Sequence, residues 1–315
     1  MSTDASESRL EMINIELVDR NPDNPRINFR QAELDELQES IRRFGIQVPI
    51  AVYREGRRYV LIDGERRWRC CLKLNKKEIP ALIQEKPTPL GNLLLMFNIH
   101  SLREQWDLLT IALKLPKVIE LLEVELKRSP NEREISERTG LARGVIRRCK
   151  LLIELPDEYK QEIKKELVKP RSKQILTEDF FIEMERALTT VERAMPDVIP
   201  NRDKARRVLI AKYQNDTIGN LVQMRQIAKI ARAEYVEADK GKAKRVLTKL
   251  FAENAYSIEK AYEDSVSAAY SERDVATRID GLIDRLRVFT ADDLDPEVRA
   301  KLKVLGKRIE ELLEE

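Results

Sequence analysis

The stretch VLIDGERRWRCCLKL, residues 60–74, reads as an apolar strand that stops at Asp63-Gly64 and restarts as a helix opening on Glu65, Arg66 and Arg67. A helix N-terminus leaves its first backbone N–H groups without intrahelical acceptors and presents the positive end of the helix dipole. A glycine at such a turn lets backbone come close to an anion, and arginine forks bind phosphate oxygens two at a time. The corner therefore reads as an anion site. The plainer alternative is that Arg66 and Arg67 decorate a solvated helix face, since a short G-E-R-R motif is weak by itself.

Working outward, VPIAVYREGRRYVLIDG holds two β-rich segments around Glu55 and Gly56, a hairpin signal. Before it, Leu34, Leu37, Ile41 and Phe44 recur at steps of three, four and three, which predicts a helix starting near Gln31 and ended by Gly45. EMINIELVDRNPDNPRIN reads as one short strand entering a loop broken by Pro22 and Pro25, and IPALIQE as another strand. Residues 12–83 thus form a small mixed α/β unit. Beyond KPTPLGN, residues 86–92, amphipathic helical patterns separated by Pro or Gly run to the end.

The whole chain sets bounds. Of its 315 residues 36% are charged and 5% aromatic, a balance that favours helices with solvated faces. No apolar run is long enough for a membrane span, and MSTDASESRLEM resembles neither a signal nor a transit peptide, so a cytoplasmic protein without membrane contact is expected. Cys70, Cys71 and Cys149 are odd in number and have only His100 for company, which predicts free thiols and no zinc quartet. Charge is segregated. Residues 40–80 carry eleven Lys/Arg against four Asp/Glu, 127–173 fourteen against eight, and 201–250 thirteen against five, whereas 251–315 carries ten against sixteen. Such blocks point to an anionic partner for the body and a separate role for the tail.

NEREISERTGLARGVIRRCKLL, residues 131–152, reads as helix, glycine turn, helix, with Asn131 as N-cap, Ile135 facing inward and Gly140 at the turn. In the second helix Val145, Cys149 and Leu152 share one face, and Arg143, Arg147 and Lys150 the opposite one. An apolar side docked and a cationic side projecting is what a recognition helix in a major groove needs, which makes double-stranded DNA the expected partner. An ordinary amphipathic helix with a basic outside has the same pattern. Lys160, Lys164, Lys165, Lys169, Arg171 and Lys173 extend the basic surface towards backbone phosphate.

Taken in order, N-P-R, S-I-R-R-F-G, G-I-Q-V-P-I and D-G-E-R-R-W-R, spread over roughly sixty residues, resemble the N-terminal domain of the ParB family of DNA-partition proteins, with Cys70 where Ala is usual. The resemblance implies an α+β, ParB/sulfiredoxin-like N-terminal domain that binds CTP, followed by an all-α helix-turn-helix domain and further helices. It places Gly64, Glu65, Arg66 and Arg67 at the triphosphate and Gly45, Ile46 and Gln47 along the nucleotide pocket. The sulfiredoxin branch carries a nucleophilic Cys where Glu65 stands. The family's third box, E-N-x-Q-R, corresponds here to FNIHS, residues 97–101. Asn98 keeps its place as a nucleotide and Mg2+ ligand, while Phe97 replaces the carboxylate, His100 the Gln and Ser101 the Arg, with Arg103 nearby. Phe cannot coordinate a hard cation, which puts CTP hydrolysis in doubt and leaves no residue assigned to catalysis. CKLLIELPDEYK is similar to the family's R-L-L-x-L-P segment with one residue inserted before Leu155, and Arg143, Arg147, Arg148 and Lys150 are the candidate DNA-facing residues.

The expected organisation is a nucleotide-binding domain at 1–90, a helix-turn-helix domain at 91–175, a basic helical region at 176–250 and an acidic helical tail at 251–315. In the tail Val298, Leu302, Leu305, Ile309 and Leu312 alternate at steps of four and three, a short heptad seam for dimers or a partner. The implied function is CTP-regulated DNA binding in plasmid or chromosome partition, as a homodimer working with a ParA-like ATPase on nucleoid or plasmid. Transcriptional regulation, a mobile-element accessory role and a ParB-like nuclease stand as alternatives.

Overall fold

The computed structural model describes residues 9–22, 24, 31–101, 106–290 and 293–314. Contacts divide the chain into two compact units, residues 1–186 and 187–315.

The first unit opens with β1 (Arg9–Asn14), a 3-10 turn (Ile15–Leu17), β2 (Val18–Asp19), α1 (Gln31–Phe44), β3 (Ile50–Glu55), β4 (Arg58–Asp63), α2 (Glu65–Lys73) and β5 (Glu78–Gln84). The five strands form one mixed sheet in the order β1-β5-β3-β4-β2. β3 and β4 are the expected antiparallel hairpin, with Glu55 opposite Arg58 and Gly56 at φ +61°. β5 then runs parallel to β3 and antiparallel to β1. The segment read as one strand is two. Asn14 accepts a hydrogen bond from the Glu16 N–H, which sets up the 3-10 turn and sends the chain from one sheet edge to the other.

The core lies between one sheet face and helices α1 and α2. Ile13, Ile50, Val52, Leu61, Ile79 and Ala81 come from the strands, Leu34, Ile41, Cys70 and Cys71 from the helices. Alternation in the strands and the 3.6-residue period in the helices supply these apolar faces. Phe44 departs from the expected helix face: α1 ends there, and its ring is 69% exposed.

Helices follow: α3 (Pro89–Ser101), α4 (Leu108–Leu126), α5 (Glu132–Thr139), α6 (Arg143–Ile153), α7 (Asp157–Leu167) and α8 (Glu178–Ala194), the last crossing the division between units. The second unit holds α9 (Arg202–Gln214), α10 (Met224–Ala231), α11 (Lys240–Ala252), α12 (Ile258–Glu263), α13 (Ser267–Leu286) and α14 (Pro296–Leu313). Its core includes Leu209, Ile227, Leu247 and Ile258, and it encloses one lysine, Lys212, whose Nζ donates to the carbonyls of Glu253, Asn254 and Tyr256 at 2.6, 3.1 and 2.6 Å.

Neither α13 nor α14 has a buried residue. The seam expected in α14 has a counterpart in α13, where Val275, Ile279, Leu282 and Leu286 repeat the same spacing. Among the described residues no helix is long and apolar enough to cross a membrane.

Candidate functional site

β4 carries its apolar run into the core and delivers the chain to Gly64 at the sheet's end. Gly64 is the N-cap of α2 in the left-handed region, φ +95°. A Cβ here would lie 2.7 Å from Ile50 Cγ2, so both the conformation and the space demand glycine. No side chain caps α2, and its first-turn N–H groups open onto the corner.

Arg67 fixes the corner's shape. Its Nη1 donates to the carbonyls of Val48 and Pro49, each at 2.5 Å, and its Nη2 donates to Asp63 Oδ2 at 2.8 Å. The guanidinium and its carboxylate partner are each only 14% exposed. One side chain therefore ties the G-E-R-R turn to the loop carrying Gly45, Ile46 and Gln47. In that loop Gly45 takes the expected left-handed conformation at φ +74°, Gln47 Nε2 donates to the Phe44 carbonyl at 2.5 Å, and Ile46 packs on the core. Arg66 reaches back to α1, donating to the Glu33 carbonyl at 3.0 Å.

Glu65 is buried among donors rather than open to a ligand. Its carboxylate accepts from Asn24 Nδ2 at 2.5 Å, Arg20 Nε at 2.8 Å, and Arg69 Nε and Nη2 at 2.9 and 2.6 Å. Two arginines, 55% and 32% exposed, are thus pinned beside the α2 N-terminus by one carboxylate. Asn21 and Asn92 form a buried amide pair at 3.0 Å. Arg20, Asn24, Arg69 and Asn92 escaped sequence reasoning; Arg69 lay inside the quoted motif, but Arg20 and Asn24 are some forty residues away from Glu65 in the chain.

On α3, Phe97 is fully buried and meets Trp106 edge-to-face, centroids 5.3 Å apart, as a core ring where the resemblance expects a ligand. Asn98 is exposed and, among the described residues, takes no part in the web around Glu65 and Arg67. The side chains of His100 and Ser101, and all of Arg103, lie outside the described residues. Cys70 and Cys71 are buried free thiols, and burial pushes both up from the ordinary thiol range. They are packing residues. Among the described residues no group of three His, Cys, Asp or Glu could hold a metal.

The helix-turn-helix forms at the expected place. Asn131 and Glu134 make a reciprocal capping box on α5, Gly140 ends it at φ +73°, and α6 follows. The docked face of α6 is Ile146, Cys149 and Leu152; Val145, expected there, is only half-buried because the inward stripe starts one residue later. Arg143 and Arg147 are exposed and Lys150 half-buried, along the border of that docked stripe. Arg148 pairs with Asp179 at the start of α8. Glu132 takes both Arg147 and Lys150.

Residues 1–94 match the ParB N-terminal domain. The chain is 45% identical over 90 residues to the probable chromosome-partitioning protein ParB of Campylobacter jejuni, a stretch covering 28% of this chain and 32% of that protein. It is 31% identical over 148 residues to the chromosome-partitioning protein ParB of Caulobacter vibrioides, covering 46% of each. A solved structure of C-terminally truncated ParB from Caulobacter crescentus, complexed with CTP-gamma-S, is 28% identical over 51% of this chain and 87% of its own, with a TM-score of 0.28. The chain spans about half or less of the length of these curated relatives. Over residues 1–94 the chain is thus similar to the ParB N-terminal domain, and its likeness to the named ParB proteins covers no more than about half of it.

Proposed function

We propose that this chain is a ParB-like protein whose grip on duplex DNA is regulated by CTP, and that it acts in chromosome or plasmid partition. The carrying observation is the corner at Gly64: a glycine that admits no Cβ, an uncapped helix N-terminus and arginines pinned beside it, inside a domain matched to ParB. The relatives named as chromosome-partitioning proteins support the same reading.

A bound nucleoside triphosphate supplies the negative charge that this corner is built to meet. Gly64 and the first-turn N–H groups of 65–67 take phosphate oxygens, with Arg66, Arg69 and Arg20 as countercharge. Glu65 acts indirectly, by holding Arg69 and Arg20 in place. Arg67 couples the phosphate side to the loop of Gly45, Ile46 and Gln47, which lines the nucleoside. The donor set suits phosphate better than a metal. Mg2+ would be carried chiefly by the phosphates, with Asn98 as its protein oxygen.

DNA is read by α6, with Arg143, Arg147, Arg148 and Lys150 facing the duplex. The division of labour is nucleotide at 1–90, DNA at 91–175, a basic helical region at 176–250 and an acidic end at 251–315. The unburied seams of α13 and α14 join two copies of the chain. A ParA-like ATPase is the proposed further partner, and the nucleoid or a plasmid in the cytoplasm the place of action.

Calorimetric titration of the whole chain with CTP, ATP, GTP and UTP tests this. Saturable heat with CTP, and weaker or none with the others, is expected; no saturable heat with any of the four refutes the nucleotide reading.

A further inference from the structure

Glu132 stands in the first turn of α5, but its carboxylate works across the turn, on α6. One oxygen accepts from Arg147 Nε at 2.9 Å and the other lies 3.4 Å from Lys150 Nζ. Arg147 is exposed on α6 and the half-buried Lys150 lies beside it, flanking the docked stripe of Ile146, Cys149 and Leu152. Arg143, one turn earlier, is exposed and has no carboxylate partner among the described residues.

The turn that carries Glu132 is well held. Asn131 caps α5 by accepting from the N–H groups of Arg133 and Glu134, the Glu134 side chain returns to the Asn131 N–H, and Arg128 braces Glu134 at 3.0 Å. The positive end of the α5 dipole favours a negative charge at Glu132, and its bond to Arg147 draws its carboxyl below the usual range.

Geometry at Arg147 is selective. Glu132 engages Nε, which leaves the two terminal Nη groups to donate. An arginine steadied at Nε presents an end-on pair of donors, matched to the O6 and N7 acceptors of guanine. A phosphate approaching Arg147 or Lys150 meets the negative charge of the Glu132 carboxylate set beside both cations, and is repelled by it.

Resting on the DNA-binding reading above, we propose that Glu132 is a specificity-determining residue: it withholds Arg147 and Lys150 from backbone phosphate and steadies Arg147 for a base edge. Binding to arbitrary sequence is almost wholly cation-to-phosphate, and each phosphate neutralised steepens the salt dependence by about 0.9. Two cations kept from phosphate therefore lower affinity for every sequence, whereas a base contact made by the steadied guanidinium is spared at the correct site. Glu132 selects by disfavouring wrong DNA.

The test compares wild type, Glu132→Gln and Arg147→Ala on two short duplexes, one of mixed sequence and one enriched from a random library by the wild-type protein. Anisotropy titrations run between about 50 and 200 mM salt. Exposed ion pairs add little to stability, and the capping box is untouched, so Glu132→Gln folds normally. Glu132→Gln is expected to bind mixed sequence about tenfold more tightly, with a salt slope steeper by about 2, and to lose about tenfold in preference for the enriched duplex. If Arg147→Ala loses that preference while Glu132→Gln matches wild type on both duplexes, the role of Glu132 is overturned and the DNA reading stands. If the wild type enriches no sequence and Arg147→Ala binds like wild type everywhere, both are overturned.

Discussion

Arg67 and Pro49 are joined across the corner of the N-terminal domain: the arginine's Nη1 reaches the Pro49 carbonyl at 2.5 Å while its Nη2 holds Asp63. The arginine that sequence points at a phosphate is thus also the brace of the loop beside it. A ligand that displaced this brace would move the loop with it, since a ligand shifts a conformation only through contacts that differ between the two states.

Removing that brace takes the arginine donor away from two carbonyls and a carboxylate. Arg67→Ala is expected to lower stability by about 2 to 3 kcal/mol in urea unfolding. Arg67→Lys recovers little, since one ammonium cannot reproduce a planar fork. Arg66 has a single backbone acceptor in Glu33, so Arg66→Ala is the cleaner probe: it should weaken CTP binding while stability changes by less than about 1 kcal/mol.

Gly64→Ala combines a left-handed backbone with a Cβ 2.7 Å from Ile50 Cγ2. A loss of about 2 to 4 kcal/mol is expected, read as a lower urea midpoint. Gly56→Ala, with φ +61° but open space around it, should lose only about 1 to 2 kcal/mol.

In the second unit, Lys212→Met leaves the carbonyls of Glu253, Asn254 and Tyr256 without their shared donor. The expected cost is roughly 3 kcal/mol. Burial, partly opposed by Glu253, brings the Lys212 ammonium down to about 8. Unfolded lysine titrates near about 10.4, so between these values the unfolded chain holds more protons and the folded state gains stability as pH rises. That gain, taken as the difference between wild type and Lys212→Met, should be absent below pH of about 8.

Glu178 gives the opposite slope. Burial raises its carboxyl to about 7, with Asp107 and Asp179 adding to the rise and the Leu109 N–H opposing it. Unfolded glutamate titrates near about 4.3, so the folded state holds the extra proton in between and stability falls as pH climbs from about 4 to about 7. Urea midpoints across that window should slope downward in the wild type and flatten in Glu178→Gln.

Local pattern carried much of this architecture. The β3–β4 hairpin, the glycine before α2 and the Asn131 to Gly140 frame of α5 rest on neighbours within a few residues, and they stand where the sequence places them. What sequence did not show depends on distant partners. Glu65 reads as a ligand until Arg20 closes on it; Lys212 reads as a surface lysine until three carbonyls from 253–256 surround it. Val145 yielded to Ile146 because docking chose which of two adjacent apolar residues points inward. The two edges reached by β1 and β2 could not be told from one strand-like run, since the 3-10 turn between them is only three residues long.

The central claim is that the nucleotide corner and the DNA helix are coupled, and linkage makes this measurable from either side. The most direct measurement is the CTP dissociation constant of the whole chain, by calorimetry, with and without a saturating amount of the duplex it enriches. A shift of about fivefold or more between the two titrations is the predicted result. Equal CTP affinity in the presence and absence of that duplex would contradict the account.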